Sequence, residues 1–293
     1  MLSSSPARPA TAAAGPTRDL YYLYPRHALA VRIMHWMNVV AFTVLLMSGL
    51  NIFSAHPALY WGKSSYTGNE PVFQITAREA NGEMIGVTRA LGHEFVTTGA
   101  LGALAGPHGS VVERTFPSWL TLPGDRWLSM ARRWHFFFAW VFVLNGLCYL
   151  AYSIASRHLS RDLAPTAADW RSIGRSIMDH LRFRHPAGEA ARRYNVLQKL
   201  AYLGVICVLV PLVILMGFAM SPWLDSVIPG WVDVFGGRQS ARTIHFIVAW
   251  LLVAFVMIHV LQVIVSGFWN HLRSMITGRY RIDLKKASDE TAH

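Results

Sequence analysis

Cysteine is scarce in this 293-residue chain, which has only Cys148 and Cys207 and no Cys-x-x-Cys-His segment. Covalent attachment of a c-type haem and clusters of thiolate-bound metal are therefore excluded. Both cysteines lie within long apolar runs, where a free cysteine usually serves as a small packing residue. Charged residues are also scarce, at 15% of the chain against 53% hydrophobic residues. A soluble domain typically has about 25% charged residues, so this balance argues against one.

Four long apolar runs interrupt the sequence. They span approximately residues 31–53, 134–155, 200–220 and 243–268. Each is close to the length of about 20 residues that a helix needs to cross the bilayer core. Pro211 lies inside the third run and is expected to kink it, which membrane helices tolerate. We therefore predict an all-α membrane protein built as a four-helix transmembrane bundle.

Composition predicts the two tails of the chain, and the distribution of its charges predicts the topology. Residues 1–30 are rich in Ala, Ser and Pro and lack the apolar core of a cleavable signal peptide. We expect residues 1–30 to be a disordered cytoplasmic tail, residues 31–270 the transmembrane domain, and residues 271–293 a second cytoplasmic tail. With both termini in the cytoplasm, the inside segments hold 18 Lys/Arg and 8 acidic residues, against 9 and 8 outside. The net charge of +11 thus follows the positive-inside rule and does not indicate nucleic acid binding.

Two of the connections between the runs have features of their own. Residues 54–133 form an outer loop far longer than the usual link of about 4–6 residues, with a hairpin expected at Val72–Thr88 and a re-entrant or interfacial segment at Leu91–Gly106. We expect this loop to dock a periplasmic partner, or alternatively to cap the bundle. On the inside, apolar residues at helical spacing within Trp170–Phe183 predict an amphipathic helix on the cytoplasmic surface.

Four of the thirteen histidines lie inside the apolar runs: His35, His135, His245 and His259. Ionisable residues in a membrane are costly and usually functional. The predicted topology puts His35 near the cytoplasm, and His135 and His245 near the outer side. His259 follows His245 by 14 residues, which in a helix is about 21 Å along the axis and roughly 40° around it. The fourth span therefore presents two imidazoles on one face, one near each membrane surface.

Depth alone pairs His35 with His259 and His135 with His245. Two imidazoles from facing helices can hold a haem in a bundle core, whereas zinc would need further Cys or carboxylate ligands that neither depth supplies. The alternative is a structural anchor or transporter without haem, in which the histidines only form hydrogen bonds between helices. The other nine histidines fall in loops and tails, where solvent exposure is the default interpretation.

Three of the four histidines follow an arginine by three residues, and these arginines are Arg32, Arg132 and Arg242. Positions i and i+3 share a helix face, so each guanidinium would lie at the membrane surface, just outside its histidine. Arginine is well suited to bind a carboxylate. We predict that these residues bind haem propionates. The alternative is that they only extend towards water from the helix ends.

These motifs together resemble a known family. The matching elements are Arg32-x-x-His35-Trp36, Ser48-Gly49, Trp134-His135, the segment Tyr194–Tyr202, and Arg242-x-x-His245 with His259. The chain resembles the di-haem cytochrome b subunits of bacterial nickel–iron hydrogenases, formate dehydrogenases and thiosulfate reductases, within the wider bacterial cytochrome b561 group. The resemblance covers the four helices and their edges, about half of the chain, and leaves out the loop 54–133.

The resemblance implies two haem b groups and electron transfer between a membrane quinone and a periplasmic redox subunit, such as a molybdopterin enzyme or a hydrogenase. The chain would be a multi-pass electron-transfer subunit of the bacterial inner membrane rather than an independent enzyme. A quinone site is implied beside the cytoplasmic haem, where Asn195 and Gln198 would lie, and His259 could serve both; alternatively, these amides cap the third helix and bind lipid headgroups. A second function stays open, namely a stand-alone quinone reductase acting on a small periplasmic substrate such as superoxide or ferric ion.

Overall fold

The computed structural model describes residues 21–65, 68–157, 164–181 and 196–283. Its α-helices are α1 (Leu29–Ser54), α2 (Leu128–Ala155), α3 (Ala167–Arg171), α4 (Ile173–Leu181), α5 (Val196–Gly204), α6 (Val210–Ala219), α7 (Pro222–Val227), α8 (Arg238–Val265) and α9 (Phe268–Thr277). Four stretches are long and apolar enough to cross a membrane: α1, α2, α8 and the continuous helix Val196–Ala219, which includes α5 and α6. The predicted set of four spans is therefore confirmed.

The observed helices extend beyond the predicted spans at their polar ends. The helix α2 begins at Leu128 rather than at residue 134, and α8 begins at Arg238 rather than at residue 243. Hydropathy marks only the apolar part of a helix, whereas the backbone hydrogen bonds continue into the interfacial residues. At its other end α8 stops at Val265, because Gly267 takes a positive φ of 106° before α9 begins.

The third span contains a π-helical turn at Val205–Leu209, just before Pro211. Proline has no backbone N–H, and its ring clashes with the carbonyl one turn earlier. A widened turn relieves this conflict without ending the helix. The irregularity expected at Pro211 thus takes the form of a π turn.

The loop between α1 and α2 contains two antiparallel sheets, whereas the prediction of an all-α protein included only one hairpin there. The strands of the described chain are β1 (Tyr21–Pro25), β2 (Ala58–Leu59), β3 (Phe73–Ala80), β4 (Glu83–Ala90), β5 (His93–Val96), β6 (Gly102–Ala105), β7 (Val111–Arg114) and β8 (Arg279–Asp283). Four of them form an antiparallel sheet in the order β2-β3-β4-β5, and β6 pairs with β7. The hairpin expected at Val72–Thr88 corresponds to β3 and β4, joined by the turn Asn81–Gly82.

The segment Leu91–Gly106, whose apolar composition indicated a re-entrant or interfacial segment, is folded as β-structure. It contributes β5 and β6 to the loop sheets. Glycines in this segment take positive φ values, 81° at Gly92, 85° at Gly99 and 82° at Gly102, so the chain reverses direction repeatedly. The buried Ala103 and Leu104 serve the interior of the loop instead of the membrane.

One hydrophobic core joins the loop to the adjacent ends of two spans. Leu50 and Phe53 of α1 pack with Leu59, Ile75 and Phe116 of the loop. Phe246 of α8 packs against the same cluster, with its ring 4.9 Å from that of Phe53. The loop is thereby fixed to α1 and to the helix that carries His245.

The two predicted tails are partly ordered, which corrects the expectation of a disordered tail over residues 1–30. Strand β1 pairs antiparallel with β8, with Tyr21 opposite Asp283 and Pro25 opposite Arg279. The Arg281 guanidinium lies 4.0 Å from the ring centre of Tyr21, a cation–π contact that joins the strands. The composition of the tails does not indicate this pairing, because the two strands are far apart in sequence. Residues 1–20 and 284–293 lie outside the described residues.

The expected amphipathic helix Trp170–Phe183 is divided into α3 and α4 at Ser172, and Phe183 lies outside the described residues. Asp169 at the start of α3 accepts a hydrogen bond from the Thr166 backbone N–H at 2.8 Å. Its carboxylate also forms an ion pair with the Lys199 ammonium at 2.9 Å. The Thr166 N–H and the Lys199 ammonium lower the pKa of Asp169 to about 2. Since Lys199 belongs to α5, this pair connects the α3–α4 segment to the third span.

Candidate metal centres in the helix bundle

The four histidines of the spans meet as two pairs. The ring centroids of His135 and His245 are 6.3 Å apart with an interplanar angle of 61°, and those of His35 and His259 are 6.4 Å apart at 63°. We call the first the outer pair and the second the inner pair, after the sides on which the charge distribution predicts them. These are the pairs that the depth argument predicts, and each joins α8 to α1 or α2.

The spacing of each pair fits one metal ion between the two rings. A metal–imidazole bond of about 2 Å, with the nitrogen about 1 Å from the ring centre, puts two opposed ring centroids about 6 Å apart. Among the described residues no group of three or more His, Cys, Asp or Glu side chains converges on a common point. Two imidazoles are too few for a tetrahedral zinc site, but they match the two axial positions of a haem.

The two histidine pairs lie between two packed pairs of helices. The most extensive contacts between helices of the described bundle are those of α1 with α2 and those of α6 with α8, and we call each of these two helix pairs a hairpin. A glycine faces the imidazole in each hairpin: a Cβ on Gly49 would lie 3.4 Å from His135 Cε1, and a Cβ on Gly217 would lie 3.7 Å from His245 Cε1. Each ring therefore lies directly against a helix backbone with no side chain between them.

Both imidazoles of the outer pair are oriented by backbone carbonyls. The Nδ1 atom of His135 lies 3.2 Å from the Leu45 carbonyl oxygen, and that of His245 lies 2.9 Å from the Val213 carbonyl oxygen. Donation from Nδ1–H fixes the tautomer and leaves Nε2 free to bind a metal. Each carbonyl lies four residues before the glycine that faces the same ring, so the two hairpins repeat one arrangement.

The inner pair is held differently. In the described part of the chain, no hydrogen bond reaches a ring nitrogen of His35 or His259. Aromatic rings surround them instead: the Trp36 ring meets His35 edge-on at 5.6 Å, and Phe255 stacks on His259 at 6.1 Å with an interplanar angle of 17°. These contacts restrict the rings without selecting a tautomer.

The three predicted propionate-binding arginines differ in their contacts. The Arg32 guanidinium donates to the Ile276 carbonyl, and its buried Nε atom has no hydrogen-bond partner among the described residues. Arg242 donates to the carbonyls of Ala58 at 2.9 Å and His56 at 2.5 Å. Arg132 is exposed, with its guanidinium 5.5 Å from the ring centre of Phe136. Sequence reasoning missed the backbone contacts of Arg32 and Arg242, because all three carbonyl partners are remote in the chain.

Arg242 belongs to a set of contacts between the loop and the start of α8. Thr243 Oγ1 donates to the Tyr60 carbonyl at 2.7 Å, and Ser240 Oγ accepts from the Gly62 N–H at 2.8 Å. Partial burial and the nearby Arg242 charge lower the pKa of His56. The loop is thus anchored within a few residues of His245.

The predicted quinone residues are only partly described. Asn195 lies outside the described residues, and Gln198 lies near the start of α5. A groove of 570 Å³ opens between α1, α2 and α9, and its lining includes Arg32, Trp36 and Ile276. It was not predicted, because α9 forms one of its walls and that helix was taken as part of a tail.

Comparison with known proteins shows the family to which the chain belongs. The sequence model of the prokaryotic cytochrome b561 family matches residues 26–278. The "Putative protein-methionine-sulfoxide reductase subunit YedZ1" of Azospira oryzae is 28% identical over 247 residues, 84% of this chain and 92% of that protein. The "Probable Ni/Fe-hydrogenase B-type cytochrome subunit" of Cupriavidus necator is 27% identical over 158 residues, 49% of this chain and 64% of that protein. The chain therefore belongs to the prokaryotic cytochrome b561 family of bacterial membrane electron-transfer proteins, which carry b-type haem.

Proposed function

We propose that this protein is a di-haem cytochrome b that transfers electrons between a quinone in the membrane and an oxidoreductase subunit on the periplasmic side. The observation that carries the proposal is the meeting of the spans' histidines in two pairs, His135 with His245 and His35 with His259. The 14 residues between His245 and His259 correspond to about 21 Å along α8. When bound, each haem supplies a centre that accepts and releases one electron.

The residues around the outer pair are suited to a rigid haem site. The carbonyls of Leu45 and Val213 hold the two imidazoles with their Nε2 atoms available. Gly49 and Gly217 present no Cβ to the rings that face them, and on α1 the Ser48 hydroxyl lies 3.1 Å from His135 Nδ1. A fixed imidazole orientation favours electron transfer, because little has to move when the charge of the site changes.

Among the predicted propionate partners, Arg32 has the strongest support. Its buried Nε–H has no acceptor in the part of the chain that the structure describes, and a haem propionate would provide one through a charge-assisted hydrogen bond. Arg132 keeps this role as a prediction from sequence, and so does Arg242, although two of its nitrogens already bind loop carbonyls.

The quinone is proposed to react near the inner pair, at the cytoplasmic side. Asn195 and Gln198 stay the predicted polar contacts from the third span. The groove beside α1 offers an apolar route from the lipid, since Trp36 lines it and also meets the His35 ring. In this arrangement electrons released by a quinol enter at the inner pair and leave through the outer pair.

The partner is proposed to be a reductase subunit docked on the loop 54–133. The match to the relative named as a methionine-sulfoxide reductase subunit covers 92% of that protein, against 64% for the hydrogenase subunit. Reduction of a sulfoxide to a thioether consumes two electrons and two protons and releases water. Oxidation of one quinol provides both electrons, which the haems would pass one at a time.

Reduction by quinol tests the proposal directly. The purified full-length protein should show the absorption bands of reduced haem b when a soluble quinol analogue is added under nitrogen. Pull-down from native membranes should recover a redox subunit with the intact chain, and lose it when residues 68–127 are replaced by a short linker. Reduction by dithionite without any reduction by quinol would contradict the quinone assignment.

A further inference from the structure

A buried carboxamide ties α2 to the first part of α1. Asn145 is 4% exposed and lies in the apolar interior of the α2 span. Its Nδ2 donates to the Met34 carbonyl oxygen at 2.8 Å and to Asn38 Oδ1 at 2.7 Å. An amide nitrogen carries two hydrogens, so this one group uses both of them on α1.

The two acceptors lie on either side of His35. Residues 34 and 38 are four apart, so they mark the two ends of a single helical turn, and His35 lies within it. In an α-helix the carbonyl of residue 34 already accepts from the N–H of residue 38. Asn145 therefore adds a second hydrogen bond to the same turn and holds both ends of it against α2.

This arrangement compensates for a difference between the two pairs. The outer imidazoles bond directly to the carbonyls of Leu45 and Val213, whereas the inner imidazoles have no such bond to any described residue. Polar side chains inside a bilayer are costly and usually have a function. Simple adhesion between α1 and α2 would not require the amide to engage the turn of the histidine.

We propose that Asn145 is a positioning residue that holds His35 opposite His259 and so keeps both axial ligands on the inner haem. Asn38 supports this role, because its side-chain oxygen accepts one of the two hydrogen bonds that Asn145 donates. This inference rests on the proposed function, because it assumes that the inner pair binds haem.

The test uses Asn145→Leu, whose side chain has the same number of heavy atoms and the same branching at Cγ but cannot donate. It is introduced into full-length His135→Ala protein, where only the inner haem should be present, and into His259→Ala protein, where only the outer haem should be present. We expect the inner haem to lose its low-spin electron paramagnetic resonance signal and, when reduced, to gain carbon monoxide binding. The outer haem should keep its low-spin signal and stay unreactive.

Two further variants separate positioning from packing. Asn38→Leu removes one of the two hydrogen bonds and should produce a smaller change in the same direction. Ser153→Ala is the matched control, since Ser153 is buried on the same helix and its hydroxyl has no partner within the described residues. This control should leave both haems unchanged.

The outcomes are distinguishable from failure of the proposed function. If His135→Ala and His259→Ala do not each retain one haem, the di-haem proposal fails before Asn145 is changed. If they do, and Asn145→Leu changes both haems alike or neither, the inference is overturned. Should the Asn145→Leu protein fail to fold, Asn38→Leu in the His135→Ala protein decides the question with the same readout.

Discussion

The outer and inner histidine pairs have almost the same ring separation, 6.3 and 6.4 Å, but they are built from different contacts. At the outer pair each imidazole bonds to a carbonyl of the neighbouring helix and lies against a glycine. At the inner pair aromatic rings surround the imidazoles, and the nearest hydrogen bonds hold the helix turn rather than the ring. The same ligand geometry can thus be produced by fixing the side chain or by fixing the backbone that carries it.

This difference implies a difference in response to perturbation. We expect the outer site to depend on steric fit at the backbone, since no side chain separates its rings from the helices. We expect the inner site to depend on charge and on helix position, because it lies beside Arg32 and is held through Asn145. Substitutions at Gly217 and at Arg32 separate the dependence on steric fit from the dependence on charge.

The largest effect should come from Gly217→Val. A Cβ at this position would already be 3.7 Å from His245 Cε1, so the added methyl groups of valine would displace the imidazole. The variant should lose most of its outer haem and retain the inner haem, as measured by haem content and the reduced-minus-oxidised spectrum. Gly146→Val is the control, because a Cβ on Gly146 meets nothing within 4 Å. Equal haem loss in the two variants would mean that the fit at His245 is not limiting.

A moderate effect is expected for Arg32→Gln. Loss of a positive charge beside a propionate makes the reduced haem less favourable, so the midpoint potential of the inner haem should fall. A change of about 1 kcal/mol corresponds to about 40 mV for one electron. A redox titration measures the shift, with the exposed Arg279 changed to Gln as the control for net charge. A shift confined to the outer haem, or an equal shift in the control, would refute the assignment of Arg32.

The smallest effect should come from Asp169→Asn, which removes the ion pair with Lys199. The folded-state pKa of Asp169 is lowered to about 2, below its unfolded value of about 3.9. Its stabilising contribution is therefore fully present above about pH 4 and is lost as the pH falls towards 2. Between pH 7 and 4 the free energy of unfolding of the variant should be lower by no more than about 1 kcal/mol, and its unfolding temperature should be slightly lower. Both haem spectra should be unchanged. A loss of haem would show that this contact reaches the inner pair.

The sequence was sufficient to predict the four spans and which histidine rings lie next to each other. Apolar run length, the asymmetry of Lys and Arg, and the 14-residue interval from His245 to His259 depend only on local composition and helical period. The partners of the imidazoles were not predictable in this way. Leu45 and Val213 act through their carbonyls, and any residue has a carbonyl, so only the packing of the helices reveals their role.

The parts that were predicted wrongly share a cause, namely contacts between segments remote in sequence. Strand β1 is stabilised by β8, and Tyr21 alone gives no sign of the Arg281 that covers it. The segment Leu91–Gly106 has the composition of a re-entrant or interfacial segment, yet its glycines reverse the chain and Ala103 and Leu104 are buried within the loop. The two loop carbonyls that accept from Arg242 were likewise not predictable from the sequence, while its role towards a propionate stays a prediction.

The most direct test of the account is the haem content of the purified protein and of two single variants. The wild-type protein should contain two haem b groups per chain, as determined by the pyridine haemochrome assay. The His135→Ala and His259→Ala proteins should each contain one, with different midpoint potentials for the haem that each retains. A wild-type ratio of one or none, or loss of both haems from either variant, would contradict the assignment of two independent centres.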